Sequence, residues 1–400
     1  MLLLRNVIQD YAWGPVDGLA KLVGSEPTGD HEAELWVGTH ERGPSLVAAG
    51  DHEGETLADV IAGDPKRWLG AEAAAHGIQA LAYLLKVLAI GEALSLQAHP
   101  SAAQARAGFD REEAAGVPLD APERIYRDPS PKPEALVALS ETWVLCGFRE
   151  PMAAAELVTG LSSPALDPLV AALRAGGPDG LRDAMAWLVG LAGPERDEVA
   201  GAASAGCEVC AGSGDRSDPR WWVARLAADH PGDPACLAPL LLELMRLAPG
   251  DAVYLPAGNL HAYLRGAGVE IMAASDNVLR GGLTAKHVDG DELLAVLRFE
   301  PGIPPPPLPT EVRPGVTVYE CDEPAFALAA VDATRGPVEI DPAGPSLLLA
   351  VGGQVDLAGG DGGVSVGHGD AAFVAPGSGP LTVTGAGTLW WATVGNAAPS

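Results

Sequence analysis

The sequence has 400 residues, of which 48% are hydrophobic and 20% are charged. This composition is typical of a folded globular chain, and the length allows two or three domains with sizeable cores. The formal net charge of −28 disfavours binding to nucleic acid or to an anionic membrane, since like charges repel. A phosphate-binding site on this chain must therefore gather its few lysines and arginines locally.

The lengths of the apolar runs and the positions of the cysteines indicate the cellular compartment of the protein. No apolar run reaches the roughly 18 residues that a membrane-spanning helix needs, and the first residues lack the pattern of a secretory leader. The five cysteines are widely scattered, which predicts reduced thiols rather than disulfides. The Cys207-x-x-Cys210 pair has no second pair and no strand–helix context, so we interpret it as coincidental. We expect a cytoplasmic protein.

Strands and turns dominate the beginning of the chain. Residues 2–8 predict a strand, and the turn at residues 11–14 contains Trp13. The predicted strand 33–40 carries Glu34 between apolar neighbours, and the apolar run 81–88 contains Lys86. A lysine in such a run either extends its amine to solvent or faces a pocket. We expect both Glu34 and Lys86 to face a pocket.

The segment 94–99 alternates apolar and polar residues, so Ser95, Gln97 and His99 should share one face of a strand. Histidine is the commonest metal ligand, and an amide oxygen can complete a set of nitrogen and oxygen ligands. The alternative is an ordinary half-buried polar face, which the spacing alone favours.

Two later residues would complete such a metal site. Glu134 lies in the sequence Lys132-Pro133-Glu134, and His261 follows a turn at residues 256–259. With Gln97 and His99 they would make a set of four ligands that suits zinc best, although manganese or iron could substitute. The sequence does not show whether the four residues converge.

Apolar residues recur at helical spacing from 150 to 247, which predicts an inserted helical domain. Residues 248–300 return to strands and should complete a catalytic domain begun by residues 1–149. Residues 301–309 are rich in proline and predict a semi-rigid linker. Residues 310–400 predict a second β domain that repeats the central motif without its histidine, and so without a metal site.

The stretch 250–286 is dense in polar groups that can do chemistry. Tyr263, Glu270, Arg280 and Lys286 all fall within it. Short strands joined by Pro/Gly turns are typical of small β-barrels, whose mouths hold ligands. For Glu270, a polar position at the rim is an equally good interpretation, and a solvated face is the ordinary alternative for a lysine such as Lys132 or Lys286.

The sequence resembles the type I mannose-6-phosphate isomerase (phosphomannose isomerase) family along its whole length. The resemblance is carried by Tyr11-Ala12-Trp13-Gly14, residues 33–38, Lys86-Val87-Leu88, residues 94–100, Lys132-Pro133-Glu134, His261-Ala262-Tyr263 and residues 274–286. It implies a mainly β fold with α-helices: a cupin-type double-stranded β-helix (jelly roll), a helical insert and a second cupin-like domain. It also implies a zinc enzyme that interconverts mannose 6-phosphate and fructose 6-phosphate.

By this resemblance, one zinc ion per chain would be bound by Gln97, His99, Glu134 and His261. The substrate pocket would comprise Trp13, Glu34, Lys86, Ser95, Lys132, Tyr263, Glu270, Arg280 and Lys286. The chain departs from the family at two places. Pro131 stands where many members have a histidine, so a role for that histidine in proton transfer is absent, and Ala285 stands where many have proline, which changes loop stiffness more than chemistry.

An aldose–ketose isomerase must move a proton between C2 and C1 through a cis-enediol. Arg280 is the first choice for stabilising the enediolate, because its guanidinium is permanently charged and can bind two oxygens. Glu270 is the first choice for the base, with Lys132 as competitor. Lys86 and Lys286 are candidates for the phosphate.

The sequence is also compatible with two other functions. The chain could be a metal-binding cupin that binds sugars without catalysis, although binding alone would not require Arg280, Glu270 and Lys132 together. It could also isomerise a related unphosphorylated sugar. We expect a small-molecule sugar phosphate as substrate, no nucleic acid or membrane partner, and a monomer.

Overall fold

The structure is a computed structural model that describes residues 1–360, 362–367 and 369–399, apart from the side chains of residues 209–211. Cys210 of the Cys-x-x-Cys pair is thus outside the described side chains. The first 149 residues contain β1 (Leu2–Arg5), β2 (Val7–Gln9), β3 (Glu34–Val37), β4 (Leu46–Val47), β5 (Tyr83–Ile90), β6 (Leu96–Ala98), β7 (Glu134–Ala138) and β8 (Thr142–Phe148), with α1 (Gly18–Val23), α2 (Leu57–Gly63), α3 (Pro65–Leu69), α4 (Ala71–Ala75) and α5 (Ala102–Ala115).

Helices then dominate as far as Leu241. They are α6 (Pro151–Thr159), α7 (Asp167–Ala175), α8 (Gly177–Gly190), α9 (Gly193–Ala211), α10 (Pro219–Asp229) and α11 (Ala238–Leu241), with 3-10 turns at Pro164–Leu166 and Pro234–Leu237. The strands β9 (Leu242–Leu247), β10 (Ala252–Leu255), β11 (His261–Ala273) and β12 (Leu279–Gly282) follow, and then α12 (Gly290–Val296). The remaining strands are β13 (Pro309–Arg313), β14 (Val316–Tyr319), β15 (Ala327–Asp332), β16 (Val338–Ile340), β17 (Ser346–Val351), β18 (Gln354–Gly359), β19 (Gly362–Gly367), β20 (Ala371–Val374), β21 (Leu381–Gly385) and β22 (Thr388–Thr393), before a last 3-10 turn at Gly395–Ala397.

Strand β11 organises the first large sheet. This 10-stranded sheet runs in the order β10-β7-β11-β5-β3-β2, and β6, β8, β9 and β12 are attached beside it. The second half of β11 pairs with β5 and β7, whereas its first half pairs with β6 and β8. The strand changes direction at Gly266, where φ is +130° and a Cβ would overlap Thr142. One bent strand therefore serves both halves of the sheet.

The inserted helices pack against the strands that carry the candidate site. A single apolar cluster joins Leu169 and Leu173 of α7 to Leu96 of β6, Leu145 of β8 and Leu279 of β12. The helical pattern ends earlier than residue 247, because residues 242–247 form β9, which pairs with β8. A short apolar segment fits either helix or strand by its sequence, and here the partner strand decides.

The C-terminal strands form an 8-stranded sheet and a 4-stranded sheet. Strand β1 belongs to the first of these, since Leu2 lies opposite Phe373 of β20, whereas β2 pairs with β3 of the site-bearing sheet. The expected single strand 2–8 is therefore divided at Asn6, whose side chain donates a hydrogen bond to the carbonyl of Gly369. The chain is mixed β/α with large antiparallel sheets, as expected from the sequence.

Candidate active site

Three buried side chains meet at one point between β6, β7 and β11. The ligand atoms of His99, Glu134 and His261 all lie within 4.8 Å of one another. Glu134 and His261 are the first residues of β7 and β11, and His99 follows the end of β6. Nε2 of His99 lies 3.3 Å from Oε1 of Glu134, and Nε2 of His261 lies 3.6 Å from Oε2 of the same carboxylate.

Backbone carbonyls set the tautomers of both imidazoles. Nδ1 of His99 donates to the carbonyl of Asn277 at 2.9 Å, and Nδ1 of His261 donates to the carbonyl of Asn259 at 3.2 Å. A carbonyl oxygen only accepts, so the proton of each neutral ring is on Nδ1 and the lone pair is on Nε2. Two imidazole lone pairs and a carboxylate therefore face one another, an arrangement that a cation satisfies.

The charges in this cluster suit metal binding. Burial lowers the pKa of His99 to about 4, although Glu134 opposes the shift, so the imidazole is neutral near pH 7. Burial by itself would raise the pKa of Glu134, but Lys132 and the His99 imidazole hold it well below its usual range. Neutral imidazoles and an ionised carboxylate are the forms that coordinate metal ions.

Gln97 lies beside this cluster. It lies opposite His261 in the pairing of β6 with β11 and opposite Arg280 in the pairing of β6 with β12. Its amide nitrogen donates to the hydroxyl of Ser95 at 2.9 Å, so the amide oxygen points away from Ser95. Gln97, His99, Glu134 and His261 could together hold a metal ion, and this set of nitrogen and oxygen donors fits zinc.

Lys86 is held between two carboxylates. Its ammonium lies 3.2 Å from Oε2 of Glu34 and 3.3 Å from Oε2 of Glu270, and it lies over the ring of Trp36 at 5.2 Å. Register explains this arrangement, because Lys86 of β5 lies opposite Trp36 of β3 on one side and Glu270 of β11 on the other. Burial would lower the pKa of Lys86, but the attraction of Glu34 and Glu270 raises it above its usual value.

Glu270 and Tyr263 hold their protons more tightly than usual. Burial raises the pKa of Glu270, although Lys86 opposes the shift. Burial also raises the pKa of Tyr263 well above its ordinary value, and the negative charges of Glu270 and Glu134 add to the effect. A carboxyl group whose pKa is moved towards neutrality is better suited to take up and return a proton.

Positive charges gather at the mouth of the site. The pKa of Lys286 is lowered by partial burial and by the nearby charges of Arg280, Arg42 and Arg127. Arg42 donates to Asp276 at 2.9 Å, and Nε2 of His40 lies 3.2 Å from the other oxygen of the same carboxylate. On a chain with a net charge of −28, this local excess of cations favours an anionic ligand.

These groups surround one cavity of about 860 Å³, a size that accommodates a small molecule. Most residues singled out in the sequence line it, namely Trp13, Glu34, Lys86, Ser95, Gln97, Lys132, Glu134, His261, Tyr263, Glu270, Arg280 and Lys286. His99 is fully buried behind this wall. The structure therefore brings every one of the candidate residues to one place.

Several residues of the site have no role predicted from the sequence. Trp36, His40 and Arg42 line the cavity. Their positions within eight residues of Glu34 are the feature of the sequence that could have indicated them. Asn277 is fully buried and orders the 127–130 segment: its side-chain oxygen accepts from the amide of Arg127, and its side-chain nitrogen donates to the carbonyl of Ser130 at 2.8 Å. The spacing of Asn277, Arg127 and Ser130 along the chain does not predict that Asn277 orders this segment.

Within the described residues, no helix is both long and apolar enough to cross a membrane.

Known proteins resemble this chain along most of its length. A family model for the catalytic domain of type I phosphomannose isomerase matches residues 1–151. The mannose-6-phosphate isomerase of Escherichia coli (strain K12) is 36% identical over 396 residues, which cover 96% of this chain and 97% of that protein. The mouse (Mus musculus) mannose-6-phosphate isomerase is 31% identical, over 88% of this chain and 87% of its own.

Solved structures agree with these relatives. The mannose 6-phosphate isomerase of Salmonella typhimurium, bound to its substrate fructose 6-phosphate and to zinc, superposes with a TM-score of 0.89 at 30% identity, covering 98% of this chain and 99% of that one. A zinc-bound mannose 6-phosphate isomerase has the same TM-score, identity and coverage. The mainly β, cupin-type fold expected from the sequence is confirmed.

Proposed function

The chain belongs to the type I phosphomannose isomerase family, and we propose that it interconverts mannose 6-phosphate and fructose 6-phosphate with one bound zinc ion. The observation that carries this function is the cavity itself. It joins three convergent side chains that could hold a metal ion to buried acid–base groups and to a cationic mouth. An isomerase for sugar phosphates needs a positive centre where charge develops, a group that moves the proton and an anchor for the phosphate.

Gln97, His99, Glu134 and His261 would hold the zinc ion. When bound, zinc supplies Lewis-acid stabilisation to the substrate oxygens on which negative charge develops. The protein orders these ligands in advance, since the carbonyls of Asn277 and Asn259 hold the imidazoles. Lys132 lies 2.7 Å from Glu134, and we propose that it orients this ligand and moderates its charge.

Glu270 is our choice for the base that moves the proton between C1 and C2 of the open-chain sugar. It is buried in the wall of the cavity, and its raised pKa suits both uptake and return of a proton. Lys132 is the weaker candidate, because its ammonium forms a short ion pair with Glu134. Lys86, between Glu34 and Glu270, would keep Glu270 oriented and limit its charge.

We assign the phosphate group to the cationic mouth. Lys286 is exposed there, next to Arg280, Arg42 and Arg127. The charge of Lys86 is already balanced by two buried carboxylates, which supports Lys286 over Lys86 as the phosphate ligand. Arg280 lies opposite Gln97 in the sheet, so its side chain starts beside the proposed metal ligands. We propose that its guanidinium stabilises the enediolate there. Trp13, Ser95 and Tyr263 would complete the substrate-binding wall.

We propose a catalytic domain of residues 1–149 and 248–300, a linker at residues 301–309 and a second β domain of residues 310–400. The helical insert begins at residue 150 but ends at Leu241 rather than at the predicted residue 247, because β9 (Leu242–Leu247) pairs with β8. An apolar cluster that contains Val318, Leu348 and Trp391 supports the last unit. A second cluster packs this unit against the catalytic sheet, since it joins Leu347 to Leu85. We also propose a cytoplasmic monomer. Burial raises the pKa of the Cys146 and Cys236 thiols to about 12, which makes them unreactive and suits reduced cysteines.

The decisive experiment is an isomerase assay on mannose 6-phosphate with protein as purified, after chelation and after zinc is restored, with the metal content measured in each sample. We expect activity to disappear with the metal and to return with zinc. Fully metallated protein without turnover would overturn the isomerase function and leave sugar binding. Free mannose serves as the matched substrate, because turnover of mannose at the same kcat/KM would contradict the phosphate site.

A further inference from the structure

A buried carboxylate of the helical insert accepts a hydrogen bond from the 280–286 segment at the mouth of the site. Asp233 lies between α10 and the 3-10 turn Pro234–Leu237 and is only 8% exposed. Its Oδ1 accepts from the amide of Ala235 at 3.0 Å and lies 3.6 Å from Nη2 of Arg196, both within the insert. Its Oδ2 accepts from the amide of Leu283 at 2.8 Å. The two oxygens thus connect the insert to the end of β12.

The backbone that Asp233 holds has an unfavourable conformation. Leu283 has φ of +55°, in the left-handed region that a leucine rarely adopts, and Gly282 before it has φ of +125°. A Cβ at position 282 would overlap the side chain of Ala235 from the insert. Leu283 is itself buried in the apolar cluster that contains Leu237. Such a conformation persists only where its surroundings impose it.

The constrained residues lie midway between two cations of the site. Arg280 precedes Leu283 by three residues and Lys286 follows it by three, and all three line the cavity. The direction in which the chain leaves Gly282 therefore determines where Lys286 stands relative to Arg280. Neither cation is paired with a carboxylate in any ion pair of the described residues, so the loop backbone is their main constraint.

We propose that Asp233 is a positioning residue for phosphate binding: through it, the helical insert holds the 280–286 segment so that Arg280 and Lys286 act together on an anionic substrate group. This inference rests on the proposed function, and it gives the insert a part in the site. Asp233 is not among the residues that line the cavity. It acts through the amide of Leu283, which would otherwise be a buried donor without an acceptor.

The test compares two variants with a matched control in zinc-loaded protein. Asp233→Asn keeps the volume but replaces one accepting oxygen with an NH₂ group, and Asp233→Ser can still cap the 3-10 turn but is too short to reach Leu283. Asp218→Asn is the control, because Asp218 caps α10 in the same insert, accepting from Arg220 at 2.9 Å, outside the residues that line the cavity.

We expect both Asp233 variants to weaken the binding of inorganic phosphate and to raise KM for mannose 6-phosphate about tenfold, as expected for a lost buried hydrogen bond. Zinc content should not change, and KM in Asp218→Asn should remain within about twofold of the parent. Amide hydrogen exchange in residues 280–287 should become faster in the Asp233 variants only.

Exchange and phosphate binding separate this inference from the proposed function, since neither requires turnover. An inactive parent protein would end the isomerase function, but exchange would still report on Asp233. Unchanged exchange in residues 280–287 of both Asp233 variants would overturn the inference. An equal increase in Asp218→Asn would also overturn it, because the effect would then be general loosening of the insert.

Discussion

The ammonium of Lys132 lies 2.7 Å from Oε1 of Glu134, and both side chains are more than nine-tenths buried. The pair forms at the start of β7, where the two residues are separated only by Pro133. Because Glu134 also faces His99 and His261, the negative charge of one carboxylate is shared by a lysine and by the proposed metal.

Lys132→Met should therefore destabilise the metal-free protein much more than the zinc-loaded protein. Removing one partner of a buried ion pair costs about 3 to 5 kcal/mol, and bound zinc would neutralise the carboxylate that remains. Urea unfolding with and without zinc measures the difference. Lys66→Met is the control, since Lys66 is exposed. Equal destabilisation in both forms would show that Lys132 does not balance the charge of Glu134.

Arg280→Ala should lower kcat by about 10²- to 10³-fold, the loss typical of removing one donor to a developing oxyanion. Zinc content should be unchanged, because Arg280 borders Gln97 without being a metal ligand. Arg298→Ala is the control, because Arg298 is exposed and pairs with Glu300 outside the cavity. Metal analysis and steady-state kinetics test the prediction, and loss of zinc in Arg280→Ala would give Arg280 a structural role instead.

Lys286→Ala should raise KM for mannose 6-phosphate about tenfold, an effect on the scale of one charge-assisted hydrogen bond. The affinity for inorganic phosphate as a competitive inhibitor should fall by a similar factor and should depend less on ionic strength. Lys66→Ala provides the comparison for a change in net charge alone. An unchanged inhibition constant for phosphate would remove Lys286 from the phosphate site.

His99 should make the metal-free protein sensitive to acid. Its pKa is about 4 in the folded protein and 6.5 ordinarily, so between these values the unfolded chain binds more protons than the folded one. Stability is therefore lost as the pH falls from 6.5 towards 4. Between pH 6.5 and pH 5 the free energy of unfolding should fall by about 1.5 kcal/mol for this reason. The His99→Gln variant should not show this fall. Urea unfolding of chelated proteins at the two pH values measures it, and parallel losses in both would contradict the prediction.

Local sequence patterns pointed to two of the proposed metal ligands, because strand alternation alone puts both on one face. Gln97 and His99 are two residues apart on an extended segment, and the ladder pairing of β6 with β11 then brings His261 beside Gln97. The sequence Gln97-Ala98-His99-Pro100 and the family resemblance made both residues candidates. The roles of Lys86 and Asp233 could not be predicted in this way, because their partners Glu270 and Leu283 come from distant parts of the chain.

The sequence by itself determined the strand-rich fold class, the apolar context of Glu34 and Lys86, and a set of candidate residues for binding a metal and a sugar phosphate. These properties follow from periodicity and side-chain chemistry, which short segments carry. Only the tertiary structure decided that β1 joins the C-terminal sheet, that Lys86 is neutralised by two carboxylates, and that the helical insert supports the Arg280–Lys286 loop. Those features depend on which distant surfaces bury one another, and many pairings are compatible with the same local pattern.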